Sequence, residues 1–260
     1  MEKRFSMSSS RLKTILTQGG RAAGPILVHS SPWLVEMVGR AGYDFLILDA
    51  QHGILDIREA EHLVRAGDTV GIEVLVRVPG LDPATVGRYL DVGARGIVFP
   101  EVKTADEARL AVRSVRYRPE GLRSSCPSTR SVWYQFADWD ACYRNGMTDN
   151  VVILIIEDRE GFENAHEIFE VEGVDGVILG PFDLSSSLGL AGQMNHPEVV
   201  QRLERALALA VGRGIAVSVW APSLKAASGW ASKGARLFTP SATSIVREAL
   251  QQSVKDLQSL

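Results

Sequence analysis

The chain has 260 residues, 45% hydrophobic and 23% charged, enough for one large α/β domain, and its net charge of −3 leaves no basic field for nucleic acid or anionic lipid. No apolar run approaches the roughly 18 residues that span a bilayer, so no membrane segment is expected. Only two cysteines occur, Cys126 and Cys142, in neither metal-type spacing nor disulfide density; they read as bystander thiols, and the expected compartment is the cytoplasm.

The polar start has no apolar signal core, and residues 1–12 read as a flexible tail. Strand-length apolar runs follow near 25–29, 44–49, 73–78, 96–100, 151–157, 176–180, 215–219 and 235–239. Between them lie helical spacings over 33–40, 57–66, 83–92, 105–115, 165–171, 197–213, 224–232 and 244–257. Gly42, Gly93, Gly173, Gly214 and Gly234 each stand just before a run, where a helix ends in the left-handed conformation and a buried strand begins. Strict β-then-α alternation, with strands apolar on both faces, predicts a parallel sheet covered by helices. Eight such units favour a single (β/α)8 TIM-type barrel over residues 1–260, and the lack of a G-x-G-x-x-G after the first strand argues against a dinucleotide fold. One connection is long: residues 118–150 form an insert rich in aromatics, among them Trp133, Tyr134, Phe136, Trp139 and Tyr143. It reads as a lid, a subunit contact or a small satellite core.

Polar residues stand where these runs end. Asp49, Gln51 and His52 follow one run, Arg77 ends the next, Glu157 follows six apolar residues, and Asp183 follows Gly180, Pro181 and Phe182. In a barrel the carboxyl ends of the strands meet at one mouth, so these residues form a candidate set. Two carboxylates on neighbouring strands repel unless a proton or cation lies between them, and the pair suits a magnesium- or manganese-like ion that keeps waters and takes substrate oxygens, with cobalt or zinc as further candidates. The plainer readings are that Glu157 forms a salt bridge, that Asp183 caps a helix, and that Arg77 pairs with a neighbouring acid. Otherwise Arg77 would grip an anionic substrate. His52 is the histidine placed at a strand end before a glycine, as an acid/base would be. Trp220, after the seventh run, lines the pocket or packs in the core. No strand ends in lysine, which argues against a Schiff-base mechanism.

Taken together these residues resemble the HpcH/HpaI aldolase family, metal-dependent pyruvate aldolases acting on 4-hydroxy-2-oxo acids. The resemblance runs from about residue 16 to 250, through the motifs at 41–45, 49–53, 76–77, 90–94, 116–123, Glu157 and 171–185. It implies a TIM-type barrel with metal held by Glu157 and Asp183. Arg77 would lie over the pyruvate oxygen, and His52 would be the acid/base, supported by Asp91. Gly180, Pro181, Phe182, Asp183, Arg123 and Trp220 would contact a 2-oxo acid and an aldehyde. It also implies a hexamer built from dimers, with the last helix exchanged onto a neighbour and the insert near another subunit's site. Two departures from many members stand out: Gln51 in place of glutamate, and Arg123, Ser124, Ser125 where many have arginine followed by glycine. Two other activities fit the same barrel: decarboxylation of an oxaloacetate-like acid, or lysis of an acyl-CoA in the manner of citrate lyase. A non-catalytic 2-oxo acid binder is the reading from a different class.

Overall fold

The structure, a computed structural model, describes residues 9–136 and 138–260. Its strands are β1 (Ala22–Ala23), β2 (Ile26–Leu27), β3 (Phe45–Asp49), β4 (Glu73–Arg77), β5 (Gly96–Phe99), β6 (Val151–Ile156), β7 (Gly176–Leu179), β8 (Ala216–Val219) and β9 (Leu237–Phe238). β2 to β8 form one parallel sheet in chain order, with helices in the crossovers. β1 and β9 form a second parallel pair that links its two edges. On one side the Arg236 N–H donates to the Val217 carbonyl at 3.1 Å, and on the other the Ile26 N–H donates to the Pro240 carbonyl at 2.9 Å. The sheet thus curls around an interior, as in a TIM barrel. The first strand, expected near 25–29, is shorter, Ile26–Leu27, and a separate two-residue strand, Ala22–Ala23, precedes it.

Two apolar layers follow from the period-two alternation of strand side chains. Phe45, Ile47, Leu75, Val98, Ile153, Ile155 and Ile178 share one cluster inside the curl. The residues between them, such as Leu46, Leu48, Val76, Ile97, Leu154 and Val177, pack outward against the helices. All five junction glycines adopt the left-handed conformation, with φ from 74° to 107°.

Three segments differ from the sequence reading. Residues 1–8 of the expected tail lie outside the described part, but the chain is ordered before residue 12: a helix, Arg11–Thr17, begins with Ser10 as its cap. Its Leu12 and Leu16 join the inner cluster and close the amino-terminal end of the curl, and Glu73 accepts from the Ser10 hydroxyl and the Arg11 N–H. A single short helix of two leucines gave too little periodicity to read. The insert holds a 3₁₀ helix, Arg130–Gln135, and an α-helix, Trp139–Thr148. Its Trp139 and Tyr143 rings pack with Tyr117 at centroid separations of 5.5 to 6.3 Å. Within one chain these three rings pack on one another. Finally, Asp183 does not cap a helix: the helix Pro181–Ser187 has Gly180 as its cap, and Asp183 lies in the first turn.

The last helix, Ala242–Gln258, buries only Ala242 and exposes Ile245, Val246, Leu250, Val254 and Leu257. No described helix is long and apolar enough to cross a membrane, and both cysteines are free, Cys142 buried and Cys126 exposed.

Because Leu12 is fully enclosed, Leu12→Ala should lower the unfolding free energy by about 2–5 kcal/mol, measured by urea denaturation. A loss below 0.5 kcal/mol would show that the helix does not seal the interior.

Candidate active site at the carboxyl ends of the strands

The inner series 45, 47, 49 of β3 ends on Asp49, the series 75, 77 of β4 on Arg77, and the series 153, 155 of β6 continues to Glu157. The same alternation that buries isoleucine in the interior therefore delivers three charged groups to the mouth. β3 and β4 are in register with Asp49 opposite Arg77. Arg77 Nε donates to Asp49 Oδ1 at 2.9 Å, and Nη2 donates to Oδ2, a bidentate clamp. Arg77 thus pairs with an acid, as one sequence reading held, and that acid is Asp49.

Asp49 has no exposed surface. Burial alone would push its carboxyl up, but the Arg77 hydrogen bonds and charge, with the His52 and Gln51 backbone N–H groups, outweigh it and hold the carboxyl below the usual range. Those two N–H groups donate to Asp49 Oδ1 at 3.1 and 3.0 Å, so the carboxylate also folds the loop that carries His52. Gly53 completes the bend: a Cβ there would come within 2.1 Å of the Asp49 carbonyl oxygen and 2.7 Å of that of Val28. His52 is left exposed at the rim.

Glu157 is 9% exposed and, among the described residues, has no such clamp. Burial raises its carboxyl to about 7; the Glu101 N–H, donating to Oε1 at 2.9 Å, and the Arg77 charge oppose the rise, while the charges of Asp183 and Glu101 add to it. Gly180 lets the next strand end close on this side chain, since a Cβ at 180 would sit 2.7 Å from the Glu157 Cβ. The chain then turns into the helix carrying Asp183 on its first turn, where backbone N–H groups favour a carboxylate. Pro181 is buried and Phe182 exposed, and Trp220, half-buried, follows β8 with its N–H on the Leu179 carbonyl at 3.3 Å.

Among the described residues no group of three or more His, Cys, Asp or Glu is arranged to hold a metal. Two carboxylates, one with its negative charge uncompensated by any clamp, fit a hard divalent cation that completes its shell with water and substrate oxygens.

Asp91 and Arg123 lie elsewhere. Asp91 ends the helix Pro83–Asp91, and Arg123 follows the helix Ala105–Val115, both at turns that lead into strand amino ends. They meet each other: Arg123 Nη2 donates to Asp91 Oδ1 at 2.8 Å, with the guanidinium 4.5 Å from the Tyr117 ring centre. Neither joins His52 within one chain, because a βα unit puts the end of its helix at the opposite end of the sheet from its loop. Conversely, Glu101 was not singled out from the sequence, although it follows Pro100 at the end of β5. It holds a left-handed backbone, φ 55°, which turns its N–H onto Glu157, and it accepts a hydrogen bond from Gln51 Nε2 at 3.2 Å.

The raised Glu157 carboxyl has a sign that can be measured. Between about 4.5 and about 7 the metal-free folded protein keeps a proton that the unfolded chain loses, so this group's contribution to stability falls as pH rises through that window. Glu157→Gln should therefore match wild type near pH 4.5 and exceed it at pH 8 by up to roughly 3 kcal/mol in chelator-treated urea denaturation. Equal stabilities at pH 8 would refute the uncompensated charge.

Comparison with known proteins agrees over most of the chain. The family model described as HpcH/HpaI aldolase/citrate lyase matches residues 27–243. A 4-hydroxy-2-oxo-heptane-1,7-dioate aldolase from Escherichia coli is 36% identical over 198 residues, 75% of this chain and 74% of that protein. A hydroxypyruvate/pyruvate aldolase from Deinococcus radiodurans is 35% identical over 230 residues, 87% of this chain and 82% of its own. A solved structure of a HpcH/HpaI aldolase/citrate lyase family protein from Burkholderia cenocepacia J2315 superposes with a TM-score of 0.91 at 32% identity, covering 96% of this chain and 100% of that one. With its chemistry gathered at the carboxyl ends of a curled parallel sheet, the chain belongs to the HpcH/HpaI aldolase/citrate lyase family.

Proposed function

We propose that this carbon–carbon lyase is a metal-dependent pyruvate aldolase that reversibly cleaves a 4-hydroxy-2-oxo acid to pyruvate and an aldehyde. The observation that carries the reading is the asymmetry of the mouth: one buried carboxylate, Asp49, is clamped by a bidentate arginine, and another, Glu157, has no arginine hydrogen-bonded to it among the described residues and has the Asp183 charge against it. Glu157 and Asp183 are the residues that would hold the cation, Mg2+ or Mn2+ with Co2+ or Zn2+ as alternatives, and when bound it supplies a Lewis acid for the 2-oxo oxygen.

The chain's own residues do the rest. With Nε and Nη2 committed to Asp49, Arg77 presents Nη1 to the substrate oxygen on which charge develops. Asp49 holds that guanidinium in place, and a preset donor needs no reorganisation as the charge grows. His52 takes the proton from the 4-hydroxyl; the C3–C4 electrons pass toward C2 to give the enolate of pyruvate, and the aldehyde leaves. Protonation at C3 completes pyruvate. Pro181, Phe182 and Trp220 would border the aldehyde half, at the strand ends beside Glu157. We assign the protein to the cytoplasm, in keeping with its two free cysteines.

The finer architecture that we infer is a closed (β/α)8 barrel in a homohexamer, a trimer of dimers that exchange their last helices. It is supported by the stripe Val246, Leu250, Val254 and Leu257, which one chain leaves uncovered. Asp91 and Arg123, remote from His52 in their own chain, would then serve a neighbouring copy's site.

The chelator-treated protein should release pyruvate from racemic 4-hydroxy-2-oxo acids only when Mn2+ or Mg2+ is restored, and Glu157→Ala should lose at least about a hundredfold in turnover. His52→Ala should keep binding and lose turnover. No pyruvate from folded protein with any metal would sink the reading and favour acyl-CoA lysis. Leu250→Asp should give a smaller species by light scattering and impair turnover together with assembly; an unchanged mass would remove the exchanged helix.

A further inference from the structure

Gln51 and Glu101 are tied into the mouth by a continuous run of hydrogen bonds. The Gln51 N–H donates to Asp49 Oδ1 at 3.0 Å, its Nε2 donates to Glu101 Oε1 at 3.2 Å, and the Glu101 N–H donates to Glu157 Oε1 at 2.9 Å. The run crosses from the end of β3 to the end of β5 and on to the end of β6, passing the strand that carries Arg77. It connects the Arg77 clamp to the uncompensated carboxylate.

The orientation of the Gln51 amide is determined by this run. Turned over, its oxygen would face a carboxylate oxygen, two acceptors with no proton between them. With Nε2 on Glu101, the amide oxygen is buried and meets no hydrogen-bond donor among the described residues. A buried acceptor left unpaired is costly, and beside His52 the donor can come from a ligand. Glu101 itself is exposed and adds a carboxylate to the same rim. The amide oxygen and the Glu101 carboxylate are both acceptors, and the Gln51 Nε2, which has two hydrogens, gives one of them to Glu101. A hydroxyl complements the two acceptors, and a second carboxylate is repelled.

We propose that Gln51 and Glu101 select the aldehyde half of the substrate: they favour an uncharged hydroxyaldehyde, whose O–H donates to the Gln51 amide oxygen, and disfavour an aldehyde that carries a carboxylate. Glu101 acts in two ways, by orienting the amide and by its charge. The inference rests on the pyruvate aldolase reading, and it names the acceptor class which that reading leaves open.

The test uses the Mn2+-loaded protein and condensation of pyruvate with three aldehydes: glyceraldehyde, propanal without hydroxyls, and succinic semialdehyde with a carboxylate. Exchange of the pyruvate methyl protons with deuterated solvent, followed by NMR without any aldehyde, reports enolate formation separately. Wild type should favour glyceraldehyde over each of the others by about tenfold or more in kcat/KM. Gln51→Leu should remove the preference over propanal by lowering the glyceraldehyde value. Glu101→Gln should raise the succinic semialdehyde value about tenfold. Proton exchange by each variant is the reference against which its three aldehyde values are compared, and circular dichroism reports that each folds. Intact exchange with no preference in wild type, or with preferences that neither variant alters, overturns the selection by Gln51 and Glu101. No exchange in wild type overturns the aldolase reading and this inference together.

Discussion

Strand side chains that alternate between an apolar interior and an apolar helix layer leave polar groups one place to go, the end of the inward series. Asp49, Arg77 and Glu157 are each the next inward position after Ile47, Leu75 and Ile155. A shift of one residue in any of these strands would turn the charge outward into the helix layer and an apolar residue toward the mouth. Register and site are therefore one property. The tight contacts at Gly53 and Gly180 belong to it as well, because they bring the loops after β3 and β7 down onto the strand ends at the height where those side chains emerge.

Inside that frame the charges are treated unequally. Removing either partner of a buried ion pair typically costs about 3–5 kcal/mol, since it strands the other, so the Asp49–Arg77 clamp serves stability and placement at once. In the proposed reaction the guanidinium that stabilises the fold would also be the one that meets the substrate. Glu157 has the opposite situation: among the described residues its hydrogen-bond donor is the Glu101 N–H, and burial with Asp183 nearby keeps its charged form unfavourable. A site that is costly to ionise alone gains most from a cation, so the same imbalance that weakens the metal-free protein would favour loading.

How far the sequence could be read follows from the range of the forces involved. The parallel strands, the glycine-ended helices and the charged strand ends are local patterns, and the structure has them. The Asp49–Arg77 pairing needed register between two strands 28 positions apart, which only the assembled sheet provides. Glu101 was hidden because its part depends on one left-handed residue after Pro100, where φ turns the N–H to Glu157. The insert was opaque for another reason: its helices are held by the rings of Tyr117, Trp139 and Tyr143 and by ion pairs to Asp68 and Asp91, contacts between distant segments with no periodic signature.

The two ends of the curled sheet carry different charged groups, and the position of Asp91 makes the difference physical. A helix of nine residues, at about 1.5 Å each, carries the chain down the outside of the sheet before Asp91 appears. Its partner Arg123 is 4% exposed and stacked on Tyr117, so neither side chain can swing to the mouth of its own chain without leaving a buried cation unpaired. Any chemical part for them must come from bringing another molecule's mouth to that end. The last helix exposes Val246, Leu250, Val254 and Leu257, the apolar surface on which the proposed association of copies would rest, and such association would unite the two ends while leaving the Asp91–Arg123 pair intact.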